Sequence, residues 1–399
     1  MVRARDLALA AVGPDGPEYR IDMVQEDVSD DVARRIHGTM TVPLFLGSAA
    51  PGSMLHYGAD GRVEQNGTAE FGFLVNVPRN ASPDAPLAPL QYGHGLLGDR
   101  TQANAGWLNE LANTNGYIVF AVDWVGMSSV DVSPITLAIS TGEIERFRTV
   151  PDRLVQGLVN ALLAMRMMRG RFARDPSMQV GGRPIIDTNR GFYTGDSQGG
   201  IFGATYMALS TDVTRGILGV PGQPYSLLLN RSVDFDPYLL LLRLALEDGP
   251  EIQIVMHLMQ TMWDRAEPGS FSRHIMNDPI SGTPSHQVIL HVAIGDHQVT
   301  PLGAHIMARA IGARSIAPQT RPIWGIDEVD TTVTPHGGSA IVEFDFGNPP
   351  APIENVPPRD GTDDPHGRVR RLPAALAQAN RFFQTGEIVH TCTDTCDPE

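Results

Sequence analysis

The sequence predicts an α/β fold, a mostly parallel central sheet flanked by helices with an inserted helical cap, and three observations point to it. Apolar runs alternate with helix-period stretches along most of the chain. At Arg190–Gly200 a short aromatic, β-prone stretch passes straight into Gly195-Asp196-Ser197-Gln198-Gly199 and on into the helix-like Ile201–Leu209. Across residues 223–285 the alternation breaks into two long apolar segments, then resumes.

In chain order, Ile36–Leu46 and Ala69–Val77 read as strands joined through the glycine-containing hairpin region Gly58–Gly67. Leu87–Gly93 and Tyr117–Val122 are the next two strands. Pro151–Gly170 is the clearest helix: Leu154, Leu158, Ala161, Leu162 and Met165 share one face, and Pro151 suits a first turn. Phe192–Thr194 leads into the turn, and Gly216–Val220 is a short strand stopped by Pro221-Gly222. The break contains the apolar segments Pro237–Leu246 and Glu251–Trp263. A strand at Gln287–Ile294, a helix at Leu302–Ile311, a strand at Ala340–Phe346 and a helix at Leu372–Phe383 complete the pattern. The expected organisation is an N-terminal extension over 1–35, a core over 36–222 and 286–399, and a cap over 223–285.

Composition narrows the chemistry. All 30 basic residues are arginine, so the chain has no amine for a Schiff base, a pyridoxal enzyme, a Gly-x-x-x-x-Gly-Lys phosphate loop or a serine–lysine dyad. A net charge of −15 argues against nucleic acid or an anionic membrane as partner. No run of apolar residues is long enough to span a bilayer. Asp6 and Gly13-Pro14 interrupt the start too early for a signal peptide, so an exported protein would have lost its leader. Cys392 and Cys396 stand in a polar tail. A small disulfide loop is the simplest reading and implies periplasmic or extracellular export, with two free thiols as the alternative.

A Gly-x-Ser-x-Gly turn between strand and helix raises its serine above its neighbours, because Gly195 and Gly199 permit backbone to approach backbone. Ser197 is therefore the candidate nucleophile. Without lysine, its base must be histidine. Asp296 follows the strand that resumes after the cap and is the candidate acid, preferred over Asp123, Asp264 and Asp278; Asp123 is read as bracing the loop 124–129. His366, between the last strand and the last helix, is the candidate base, with His336 as competitor, while His297 lies too close to Asp296 to bridge it to the serine. In Tyr92-Gly93-His94-Gly95-Leu96, a glycine-flanked turn can aim N–H groups at developing charge, so Leu96 and Gln198 are the candidate oxyanion donors and His94 a framework residue. Met256, Met259 and Met262 would offer an adaptable apolar surface for substrate.

These residues together resemble the α/β-hydrolase superfamily, its bacterial serine esterase and lipase branch, over about Ile36 to Phe383. The resemblance implies Ser197 as nucleophile, His366 as base and acid, Asp296 as orienting carboxylate, and Leu96 with Gln198 as oxyanion donors, supported by His94, Gly95, Gly195 and Gly199. Asp196 before the serine and the residues before Ile36 depart from the family pattern. The expected activity is hydrolysis of small-molecule esters with an apolar acyl or aryl group, through an acyl-enzyme and with no cofactor. An acyltransferase or thioesterase using the same triad, or an inactive binding protein of this fold, are the alternatives. The aspartates of 360–364 raise a calcium site, against which a hydrated acidic turn is preferred, so no metal is expected. Oligomeric state is left open.

Overall fold

The computed structural model describes residues 1–246, 248–334, 337–349, 351–359 and 363–398. Helix α1 (Val2–Val12) precedes strands β1 (Glu18–Glu26), β2 (Val32–Pro43), β3 (Thr68–Pro78) and β4 (Ala88–Gly93). Helix α2 (Gly106–Asn115), strand β5 (Tyr117–Val122), and helices α3 (Val132–Ser140) and α4 (Thr149–Arg169) follow. Next come β6 (Phe192–Asp196), α5 (Gln198–Leu209) and β7 (Arg215–Gly219). Three helices, α6 (Tyr225–Leu229), α7 (Asp236–Ala245) and α8 (Gly249–Trp263), fill the stretch before β8 (Gln287–Ala293). The chain closes with α9 (Pro301–Ile311), β9 (Arg314–Ile316), β10 (Glu328–Val329), β11 (Ala340–Phe344) and α10 (Pro373–Thr385).

These eleven strands join one sheet in the order β1-β2-β3-β5-β4-β6-β7-β8-β11-β9-β10, and four further two-residue strands form two small separate sheets. From β5 to β10 every pairing is parallel, and the ladders from β1 through β3 to β5 are antiparallel. This is the mostly parallel, helix-flanked sheet the sequence predicts.

The central strands carry near-continuous apolar runs because both their faces are covered. Period-two geometry sorts these side chains. Ile118, Phe120, Tyr193, Leu218 and Leu290 enter the core beneath α1, α4, α5 and α9, while Val119, Phe192, Ile217 and Ile289 enter the one beneath α2 and α10. Every predicted strand boundary falls within a few residues of the observed one.

Two regions differ from expectation. Residues 1–35 are built into the core rather than appended to it: β1 pairs along β2, and Ala4 and Ala8 of α1 are buried. Arg5, 2 % exposed, donates to the carbonyls of Leu209 (3.4 Å) and Ser281 (3.0 Å). In consequence α4 is buried nearly all round, not on one face. Its polar residues are spent inside: Gln156 bonds Phe45 N–H (2.8 Å) and Asn160 (2.8 Å), and Arg153 pairs with Asp131 at 2.7 Å. The cysteine tail also packs inward. Cys392 and Cys396 are joined as a disulfide, Cys396 is 3 % exposed, and Asp345 N–H donates to the Cys396 carbonyl at 2.9 Å.

Helices α6–α8 lie between β7 and β8, in the stretch expected to hold an inserted cap. Helix α3, in a segment given no element from sequence, packs on α7. Among the described residues, no helix is long and apolar enough to cross a membrane.

Candidate active site

Strand β6 and helix α5 meet at Ser197, whose φ of 60° and ψ of −125° lie outside the regions open to ordinary residues. Such a conformation costs roughly 1–3 kcal/mol and persists only where surroundings enforce it. Here they do. Ser197 N–H donates to the Gly219 carbonyl at 2.9 Å, and the Tyr193 hydroxyl donates to the Gly199 carbonyl at 2.5 Å. A Cβ on Gly195 would stand 2.7 Å from the Gly199 oxygen, and one on Gly199 would overlap the Gly93 carbonyl of β4. The two glycines are thus what lets α5 close onto the sheet and present Ser197 at a cavity wall.

The loop after β4 faces this serine. His94, fully buried, accepts from Trp124 N–H through Nε2 (2.8 Å), which leaves Nδ1–H to donate to the Gly95 carbonyl (2.9 Å). Burial lowers its pKa, consistent with a neutral ring bracing the loop. Gly95 N–H donates to Gln102 (2.8 Å), and Leu97, at φ 47°, points its N–H weakly at the Gln198 side chain (3.4 Å). Gln198 Nε2 in turn donates to the Met127 carbonyl at 2.8 Å. Among the described residues, no acceptor engages the backbone N–H of Leu96 or of Gln198.

On the other side of Ser197, the loop after β8 holds Asp296, 1 % exposed. Its Oδ1 accepts from the N–H groups of Gln298 (2.8 Å) and Val299 (2.9 Å), and its Oδ2 receives His366 Nδ1–H at 2.7 Å. That bond leaves His366 Nε2 as the ring nitrogen free to work. His366 and Ser197 line the same cavity. Burial lowers the pKa of His366, but the charge of Asp296 and its hydrogen bond outweigh burial, so the net shift is upward.

Sequence reasoning missed two residues that position this group. Asp364 clamps the acid loop to the histidine loop, accepting from His366 N–H (3.0 Å), His297 N–H (3.2 Å) and Gln298 Nε2 (2.7 Å). Its oxygens are therefore occupied by protein donors, while residues 360–362 of the suspected calcium loop lie outside the described residues, as does His336. Arg370 brings its Nη1 to 3.7 Å from Asp196, tying the elbow to the histidine loop. The unusual acid before the serine was the available signal for such a cation.

Other expectations shift. Asp123 braces the loops on both sides of it: its carboxylate accepts from Arg100 N–H (2.7 Å) and Nη1 (2.6 Å), and its carbonyl from Val125 N–H (2.9 Å). Asp264 bonds Gln260 and Asp278 pairs with Arg273, both away from His366. Of the three cap methionines only Met259 lines the cavity; Met256 is buried in the core and Met262 is half-buried outside it. Successive steps of three residues rotate a helix by about 60° each, so all three could not share one narrow face. Trp263, four residues on from Met259, lines the cavity instead.

A strained serine between a central parallel strand and its helix, an acid after β8, and a histidine between β11 and α10 decide the architecture. The fold is an α/β-hydrolase fold. No family model and no curated protein sequence matches the chain. Among solved structures, acetyl xylan esterase 1 from Thermoanaerobacterium sp. is similar at 15% identity over 86% of each chain, with a TM-score of 0.48. An acetyl xylan esterase from Paenibacillus sp. is similar at 15% identity over 82% of this chain and 85% of that one, TM-score 0.44. A thermostable esterase from Pseudomonas putida shares 12% identity over 98% and 90%, TM-score 0.42. A fold of this kind hosts many activities, and the chemistry lies in the site itself.

Proposed function

We propose that the protein is a serine hydrolase of carboxylic esters with an apolar acyl group. The observation that carries this reading is Ser197 in its enforced turn, sharing a cavity with an imidazole whose other nitrogen is anchored to a buried carboxylate.

In the proposed mechanism His366 Nε2 takes the Ser197 proton as Oγ attacks the ester carbonyl, and Asp296 holds the ring in the required tautomer and stabilises the imidazolium. Negative charge grows on the carbonyl oxygen. The N–H groups of Leu96 and Gln198, left without acceptors, receive it. As the carbon–alkoxy bond breaks, the proton passes from His366 to the departing oxygen, leaving an acyl-serine. Water, deprotonated by the same nitrogen, adds to the acyl carbon and releases the acid and Ser197.

The acyl group fits the cavity lined by Ile135, Ile139, Phe147, Val150, Met259 and Trp263, whose walls are almost wholly apolar. Pockets of this character suit small apolar ligands. The tail disulfide supports an oxidising, exported location.

Ser197→Ala is expected to reduce kcat for p-nitrophenyl butanoate by about 10⁴-fold or more while the circular dichroism spectrum is unchanged. A fluorophosphonate probe is expected to label wild type and not the variant. Turnover within a factor of ten of wild type would remove Ser197 as nucleophile.

A further inference from the structure

Two cavities meet at Ser197, one almost wholly apolar and one with mixed polar and apolar walls, Leu96, Leu97 and Pro237 among the latter. The apolar one does not reach His366. The second is bounded by His366 together with Gln102, Asp234, Tyr238, Gln298 and Arg370. Asp234 and Tyr238 belong to the inserted cap and line both cavities, so they stand at the junction. Given the proposed function, on which this inference rests, the sides can be assigned. The imidazole that accepted the serine proton must deliver it to the leaving oxygen, so the alcohol portion of the ester lies on the His366 side. The acyl portion is left with the apolar side.

Leaving-group cavities for simple alkyl alcohols need no polar lining, since each unpaired polar group facing an apolar ligand loses its water without return. This one has both kinds of partner. The Asp234 carboxylate meets no donor among the described residues, its own backbone N–H being the atom held by Ser232 Oγ (3.2 Å). Tyr238 stacks on Phe235 at 6.2 Å, which fixes its ring beside that carboxylate. Burial, then the nearby charge of Asp234, raises the Tyr238 pKa, which keeps its hydroxyl a donor. Arg370 supplies donors from the core, and its buried Nε has no acceptor among the described residues. The opposed charges decide between ligands. A cationic alcohol would face Arg370 and a carboxylate would face Asp234, whereas hydroxyl groups, each donor and acceptor, satisfy both.

We propose that Asp234, Tyr238 and Arg370 form a leaving-group subsite for a neutral, hydroxyl-bearing alcohol, so that the preferred substrate is an apolar acyl ester of a polyol, with Asp234 setting that preference from the cap.

The test compares kcat/KM for three butanoate esters that differ only in the alcohol: glyceryl 1-monobutanoate, propyl butanoate and butanoylcholine. Wild type is expected to favour the glyceryl over the propyl ester by about tenfold or more, the scale of one or two hydrogen bonds. In Asp234→Ala and in Asp234→Asn that ratio is expected to fall to within about threefold of unity. A wild-type ratio of one or less, a ratio unchanged in both variants, or preference for the choline ester overturns the subsite. Fluorophosphonate labelling of the same preparations separates the two readings. Labelled enzyme that turns over p-nitrophenyl butanoate without a polyol preference sinks the subsite alone, and absence of labelling sinks the hydrolase and the subsite together.

Discussion

His366 is subject to opposing forces that can be separated by one substitution. Burial disfavours its imidazolium, and the Asp296 carboxylate at 2.7 Å favours it by charge and by hydrogen bond, with the second effect larger. General-base catalysis needs the neutral ring, so kcat/KM is expected to rise with pH through an apparent pKa above the ordinary value of 6.5. Asp296→Asn removes what raises the pKa and leaves burial in place. Its acid limb is therefore expected at lower pH than wild type, while kcat falls about 10⁴-fold because the amide no longer fixes the working tautomer. An acid limb that stays in place in the variant would mean that a group other than His366 controls it. The residues proposed to carry the chemistry stand out in the sequence because each is punctuated locally: glycines around Ser197, a buried strand before Asp296, a turn before His366. Asp364 and Arg370 are not readable, because what they do depends on loops nearly 70 and 180 residues away meeting in space.

At the scale of the element, the strand–turn–helix unit works only if β4 and α5 touch. Gly199→Ala sets a methyl group into the Gly93 carbonyl, and neither backbone can yield without separating helix from sheet. The variant is expected to lose about 1–3 kcal/mol of stability, measured by urea unfolding, and most of any turnover of p-nitrophenyl butanoate. Gly106→Ala is the matched control. A Cβ there meets nothing within 4 Å, so stability is expected to change by no more than about 0.5 kcal/mol. The same change in stability in both variants, or no loss in Gly199→Ala, would show that contact with β4 does not matter. The same dependence on contact explains which elements are legible in the sequence. Tyr117–Val122 is apolar throughout and Gln287–Ala293 is apolar apart from Gln287 and His291, so both read directly as strands, whereas α3 contains Pro134 with Ser133 and Thr136 and becomes helical where Ile135 and Ile139 pack beside α7. Strand β1, exposed along most of its length, lacks the apolar signature that would separate it from an extension.

For the molecule as a whole, the join between cap and core is the place where packing and charge conflict. Trp263 at the end of α8 stacks on Tyr225 at 4.1 Å and meets Phe147 edge-on at 4.9 Å, and Arg265 just beyond pairs with Asp152 of α4. Two residues further on, Glu267 is fully buried. Its Oε1 accepts from Gly269 N–H at 2.7 Å, but its Oε2 has no partner among the described residues. Burial pushes its pKa from 4.5 up to about 7. The sign follows from linkage: the fold prefers the protonated acid, so Glu267 does not oppose folding below about pH 4.5, opposes it increasingly as pH rises towards 7, and opposes it by a constant amount above. Glu267→Gln keeps the shape and removes the ionisation. Relative to wild type, its stability towards urea is expected to be about 2 kcal/mol greater at pH 8 than at pH 5, because each tenfold change in proton affinity is worth about 1.4 kcal/mol. The acid then acts as a built-in weakness at the base of the cap, present at neutral pH and absent in acid. A stability difference between variant and wild type that is the same at both pH values would show that Glu267 titrates as an ordinary carboxylate and that the cap is joined to the core without it.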